Sequence, residues 1–208
     1  MAAEPILYGA SYSVYVRAVR LALAEKGVRY RLEPVDVFAP AGPPEDHLAR
    51  HPFGKIPAFE HGPVRLYEAV AIERYVDEAF DGPPLQPADA AGRARMTQIQ
   101  SILDSYAYRS WVWDLYVERC EGDPPDEARI AAARPIAGTA LDAIERIAED
   151  GPFFFGAAPT LADLHAAPML ALLSETPEGR ALLEDWPFWQ GWWTALSERP
   201  SFAQSAGG

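Results

Sequence analysis

The chain has 208 residues, 49% of them apolar, and a formal net charge of −12. That length suits one large domain or two small ones, and no apolar run approaches the roughly 20 residues that span a bilayer. The acidic balance repels phosphate backbones and argues against nucleic acid as a partner, so an anionic ligand would need local donors.

Met1 to Pro5 lacks the basic and apolar regions of a signal peptide, which makes a cytoplasmic protein the expectation. Ile6 to Gly9 reads as a short apolar strand. Val14 to Lys26 carries Val16, Val19 and Leu23 at helical spacing and ends on Lys26-Gly27, a helix stop with a cation in the last turn. Tyr30 to Val37 is a second strand, Ala39 to Pro44 a loop, and Glu45 to Arg50 a short helix. Ile56 to Glu60 and Val64 to Tyr67 flank His61-Gly62 as a hairpin. Glu68 to Phe80 returns to helical period through Ile72, Tyr75, Val76 and Phe80. The order is β-α-β-α-β-β-α over residues 1–81.

Prolines at 83, 84 and 87 mark a linker over 82–89, and residues 90–208 read as an all-helical domain. Its helices are expected at Ala90 to Glu118, Asp126 to Asp150, Leu161 to Leu173 and Phe188 to Ser197, with Pro135 kinking or splitting the second. Cys120, the only cysteine, has acidic neighbours and no partner for a disulfide or a redox pair, so it reads as a small filler residue. No His, Cys, Asp and Glu cluster has metal-ligand spacing, and no metal is expected.

Three stretches of the first domain carry chemistry. Ser11, Tyr12 and Ser13 place hydroxyls just before a helix start, where each serine suits an N-cap. A hydroxyl there also suits donation to a bound thiolate, lowering a thiol pKa with help from the helix dipole. His51-Pro52-Phe53-Gly54-Lys55-Ile56-Pro57 holds an X-Pro bond where a cis peptide is cheap. It either stiffens a loop entering a strand or turns the Ile56 backbone outward to pair with a bound peptide. Glu68, where a strand runs into a helix, is either a helix-start acid or a partner for a ligand ammonium beside N–H groups that meet a carboxylate. In the second domain Thr160 and Asp163 form a capping box with Asp at N3.

In this order and spacing the four stretches resemble the cytosolic glutathione transferase family, of the serine-bearing kind with bacterial, phi or zeta likeness. The resemblance covers residues 5 to 202. It implies a thioredoxin-like α/β domain followed by an all-α domain, with glutathione as co-substrate and a hydrophobic electrophile as second substrate. The matching thiolate donor is Ser13, with Ser11 as second choice and Tyr12 or Tyr15 behind them. The resemblance puts Lys55 at the glycyl carboxylate, Ile56 and the cis Pro57 at the cysteinyl backbone, and Glu68 and Ala69 at the γ-glutamyl end. Ala69 stands where the family usually has Ser or Thr, a lost hydroxyl that costs about 1–2 kcal/mol, roughly tenfold in affinity. His51 stands where Asn is common and is assigned no catalytic role. Tyr12, Tyr106, Arg109 and Trp113 are the expected edges of an acceptor pocket, a large apolar one suiting a hydrophobic electrophile. The implied reaction is conjugation in a homodimer. Glutathione-dependent isomerisation or dehalogenation is the alternative on the same site, and a non-catalytic binding module is the rival class.

Overall fold

The computed structural model describes residues 3–206 (the side chain of Ala206 apart), so the outer limits 1 and 208 of the expected domains lie outside the described residues. The chain divides into two units, one running to Pro84 and resuming at Pro200, the other Leu85–Arg199. No helix among the described residues is long and apolar enough to cross a membrane.

The first unit is a mixed four-stranded sheet in the order β2-β1-β3-β4. Strand β1 (Ile6–Gly9) pairs in parallel with β2 (Arg31–Pro34) and antiparallel with β3 (Ala58–His61), which pairs antiparallel with β4 (Val64–Tyr67). Helix α1 (Val14–Glu25) joins β1 to β2, the crossover that a parallel pair requires. It buries Val16, Val19 and Leu23 completely, the three residues its period singled out. Helix α2 (Glu45–Leu48) is one turn, and α3 (Ala69–Ala79) buries Ile72 and Val76. The Lys26 ammonium, buried at the end of α1, meets Asp77 of α3 at 3.1 Å and the Pro83 carbonyl at 3.2 Å.

Strand β2 is shorter than the eight residues its β-rich sequence suggests, because β1 offers only four ladder positions. Past them, the Val35 N–H still reaches the Gly9 carbonyl (3.2 Å), and then Asp36 turns the chain by accepting from the Phe38 N–H (2.9 Å). The hairpin turn is Gly62-Pro63 and not His61-Gly62: His61 is the last rung, opposite Val64, and Gly62 takes the positive φ of 57°.

Helix α10 (Pro200–Ala206) corrects the domain assignment at its far end, for it groups with the first unit and not with the helical one. It packs on α1: Arg20 donates to the Gln204 carbonyl (3.0 Å), Ser201 bonds Glu25, and the Arg17 guanidinium lies 5.5 Å from the Phe202 ring centre.

The second unit is helical. Helix α4 (Ala90–Ile102) continues without a break into a π-helical stretch, π1 (Leu103–Val117), and then α5 (Glu118–Glu121). The i→i+5 register shows in the Glu118 N–H to Trp113 carbonyl bond and the Gly122 N–H to Val117 carbonyl bond. A helical period alone does not distinguish this from an α-helix, and π-helical turns collect at functional sites. Helix α6 (Glu127–Glu145) runs through Pro135, which neither splits it nor ends it. Both Pro135 and Ala131, whose carbonyl loses its i+4 donor, are exposed, so water can take that carbonyl. Helices α7 (Leu161–Glu175), α8 (Pro177–Glu184) and α9 (Pro187–Ser197) complete the unit. The core is aromatic: Trp111 meets Trp189 edge-on at 5.8 Å, and Phe154 stacks on Trp192 at 5.1 Å.

Candidate functional site

Register brings three separate stretches to one end of the sheet. Tyr8 lies opposite Ala58, and Ala58 lies opposite Tyr67. The chain leaving β1 toward Ser13, the Ile56-Pro57 segment entering β3 and the chain leaving β4 into Glu68 therefore share that end. Gly9 makes the first step possible, since a Cβ there would run into the Val16 side chain and lift α1 off β1.

Ser13 is the N-cap of α1, extended at φ −76° and ψ 123°, with Oγ accepting from the Val16 N–H at 3.4 Å. A serine that accepts one bond keeps its O–H to donate. Its hydroxyl sits at the positive end of a twelve-residue helix. Ser11 lies two residues earlier, in the turn and outside the helix. The Tyr12 hydroxyl donates to Asp36 at 3.0 Å and its ring leans on Phe38 at 5.7 Å. Burial, with Asp36 adding, pushes the Tyr12 phenol up, so it is a poorer proton donor than a free tyrosine. Tyr8 is likewise occupied, donating to Glu60 (3.1 Å) beneath the Arg50 guanidinium (4.4 Å from the ring centre).

The Ile56-Pro57 bond is cis, and both residues are buried just before the first rung of β3. Lys55 is exposed, and no ion pair to its ammonium occurs among the described residues. Glu68 is exposed and alone among the described non-glycine residues in having positive φ (69°, with ψ 117°). Such a conformation costs about 1–3 kcal/mol and persists only where the surroundings impose it, as they do at ligand sites. No side chain caps α3, which leaves its first-turn N–H groups, Ala69 to Ala71, at a helix start whose dipole favours an anion.

Sequence reasoning missed His47, which holds this end of the sheet together. A histidine on a short polar helix carries no motif, and its partner is eight residues away. Its Nε2 bonds the Lys55 carbonyl at 2.7 Å, fixing the loop just ahead of Ile56. His51, 2% exposed, lies 4.9 Å ring to ring from Tyr67, the residue before Glu68. Burial pushes the His51 imidazole pKa down, with His47 and Lys55 adding and Glu68 opposing.

In the second unit Tyr106, 60% exposed, lines a shallow apolar groove with Ile102, Ile136, Thr139, Ala140 and Ala143. Arg109 turns along its own helix to Asp114 (2.9 Å) and does not line that groove. Trp113 is half-buried and also lies outside it. His165 is fully buried with Nε2 on Asp104 at 2.9 Å, a satisfied core histidine. The Cys120 thiol is pushed up by burial and by Glu175 and Glu121, which keeps it a poor nucleophile. No group of three or more His, Cys, Asp or Glu among the described residues could hold a metal ion.

The chain matches the family models for the Glutathione S-transferase N-terminal domain over residues 7–84 and C-terminal domain over residues 127–195. It is 31% identical over 205 residues to Glutathione S-transferase 3 of Zea mays, covering 96% of this chain and 91% of that protein. A structure of glutathione S-transferase III in apo form superposes with a TM-score of 0.83 at 32% identity, covering 98% of this chain and 95% of that one. A glutathione S-transferase-I bound with the ligand lactoylglutathione superposes with a TM-score of 0.83 at 26% identity, covering 98% and 99%.

Proposed function

The chain belongs to the glutathione S-transferase family, and we propose that it holds glutathione at the sheet end shared by Ser13, the Lys55 to Pro57 segment and Glu68. The shared register of β1, β3 and β4 carries this reading, because it gathers the three stretches that the peptide would need. The γ-glutamyl ammonium meets the Glu68 carboxylate, and the neighbouring carboxylate meets the N–H groups at the start of α3. The cysteinyl unit pairs with the Ile56 backbone as a short ladder, and the glycyl carboxylate faces the Lys55 ammonium. That leaves the sulfur toward the α1 N-terminus.

There the Ser13 hydroxyl donates to the thiolate. The S–H proton leaves to solvent, the sulfur lone pair forms the S–C bond to an electrophilic carbon, and the leaving group departs with its electron pair. The balance is R–X plus glutathione giving R–SG plus HX. Removing a hydrogen bond to a charged group costs about 1.5–3 kcal/mol, so Ser13→Ala should slow turnover roughly tenfold to a hundredfold. Tyr106 and the apolar groove it lines offer the second unit a surface for a hydrophobic small molecule. A homodimer is part of the same proposal, from family membership.

Two measurements test the reading. Retention on immobilised glutathione separates a binder from a scaffold that has lost the site. Ultraviolet titration of the bound thiolate in Ser13→Ala and Ser11→Ala then assigns the donor. Ser13→Ala should abolish the thiolate band near neutral pH while Ser11→Ala keeps it, and equal small effects would refute Ser13.

A further inference from the structure

His47 and His51 lie one helical turn apart and are 1% and 2% exposed, more deeply buried than the motif residues around them. Backbone bonds lock them in series. The His51 N–H donates to the His47 carbonyl (2.8 Å), and the Gly54 N–H donates to the His51 carbonyl (2.9 Å). One ring then grips the loop at the Lys55 carbonyl, and the other leans on Tyr67 just ahead of Glu68. These are the two segments assigned above to the glycyl and γ-glutamyl ends of glutathione.

The surroundings of His51 favour a neutral ring. His47 donates from Nε2 to a carbonyl, so its neutral form carries a lone pair on Nδ1. Nδ1 of each ring is buried without a hydrogen-bond partner. Adding a proton would create a buried N–H with no acceptor, a costly state for a charged group. The ring centres are 6.3 Å apart, so two imidazolium rings would also repel. The charged groups facing His51 are Glu68 from the start of α3, Lys55 from the loop and His47 from α2. Of these charged groups, Glu68 alone favours its protonation, and a backbone hydrogen bond at His51 adds to it.

We propose that His47 and His51 form a two-imidazole brace that positions both glutathione-contact segments, and that the brace loosens when His51 gains a proton, so that glutathione affinity falls on acidification. The proposal rests on the glutathione reading above. Neither histidine touches the reacting sulfur, so both are positioning residues.

The test uses S-methylglutathione, which has no thiol to titrate, with binding followed by calorimetry on the full chain. His47→Gln retains a donor near the Nε2 position, and His47→Leu does not. At about pH 7.5, His47→Leu should bind at least about tenfold more weakly than wild type, and His47→Gln should stay within about threefold. Between about pH 7.5 and 5.5, wild-type binding should weaken at least about fivefold. The double variant His47→Gln with His51→Phe, which keeps a ring on Tyr67, should weaken less than about twofold over the same range. Wild-type affinity flat with pH, a double variant as acid-sensitive as wild type, or a His47→Leu variant binding normally would each overturn the brace. Wild type failing to bind at about pH 7.5 would instead refute the glutathione reading, and the brace with it.

Discussion

Replacing Asp163 by Ala removes the acceptor on which four donors converge. Its carboxylate is fully buried and takes the Phe154 N–H (2.8 Å), the Trp192 Nε1–H (2.7 Å), the Thr160 N–H (2.7 Å) and the Thr160 hydroxyl (2.7 Å). Ala leaves three N–H donors without a partner, each costing about 1–3 kcal/mol when buried. Removing a buried carboxylate returns part of its desolvation cost, so the net loss should be about 4 kcal/mol. Asn keeps an acceptor for Phe154 and Trp192 but turns an amide N–H₂ toward the Thr160 N–H, a loss of about 2 kcal/mol. Thr160→Ala forfeits the hydroxyl half of the capping box, about 1 kcal/mol. Urea unfolding followed by tryptophan fluorescence reads this directly, because Trp192 is in the cluster. The Ala variant should lower the midpoint by about 2 M for a denaturant slope near 2 kcal/mol per molar. An Asn variant as stable as wild type, or an Ala variant losing under about 1.5 kcal/mol, would mean that the convergence does not hold α7 in place.

Glu68→Gly should separate stability from binding. Glycine accepts the positive φ, so unfolding free energy should stay level or rise by up to about 2 kcal/mol, offset in part by a more flexible unfolded chain. Glutathione affinity should fall about tenfold with the lost carboxylate, and calorimetry that finds both quantities falling would refute strain at this residue. Acid should destabilise the ligand-free protein through His51. Its folded pKa lies below the ordinary histidine value of 6.5, so its contribution is complete above that pH. Below it, the unfolded chain binds the proton first, and stability falls until the folded ring also titrates. Thermal midpoints of wild type should drop over that window more than those of His51→Phe, and parallel curves would remove His51 as the cause.

Much of the sheet domain was legible because short-range rules settle it. The end of α1 at Lys26-Gly27, the cap at Ser13 and the period through Ile72 and Val76 each follow from neighbours within a few residues. Where the chain departs from expectation, a long-range fact intervenes. Strand β2 stops where its partner stops, not where its β-formers do. The seven residues Pro200–Ala206 read as an appendage of the helical domain until Arg20, Glu25 and Arg17 are seen to hold them on α1. The π register of Leu103–Val117 shows only in which carbonyl each N–H reaches, and a short run of helical apolar spacing does not announce it. Of the residues proposed for the site, Ser13, Lys55 and Glu68 stand in motifs and could be nominated from them. The contact of His47 with the Lys55 carbonyl could not, since it depends on how a loop closes.

The acidic charge of the whole chain and an anionic ligand are compatible because the two act over different distances. A net charge of −12 spread over the surface gives a field that salt screens beyond about 8 Å. It can slow the approach of a negatively charged peptide, but it contributes little once the peptide is seated. At about 4 Å a single charge pair is worth up to roughly 4 kcal/mol near a protein surface, which outweighs that background. The sheet end concentrates such short-range partners: the Lys55 ammonium, the uncapped start of α3 and the Ser13-capped start of α1. Two of these three are helix termini, whose partial charges come from backbone that the fold must orient in any case. On the proposed reading, glutathione recognition therefore depends less on the number of basic residues than on how firmly α1, α3 and the Lys55 loop are held. On the same reading His47, Gly9 and the contacts of α10 with α1 all serve binding, because they hold the segments that meet the peptide.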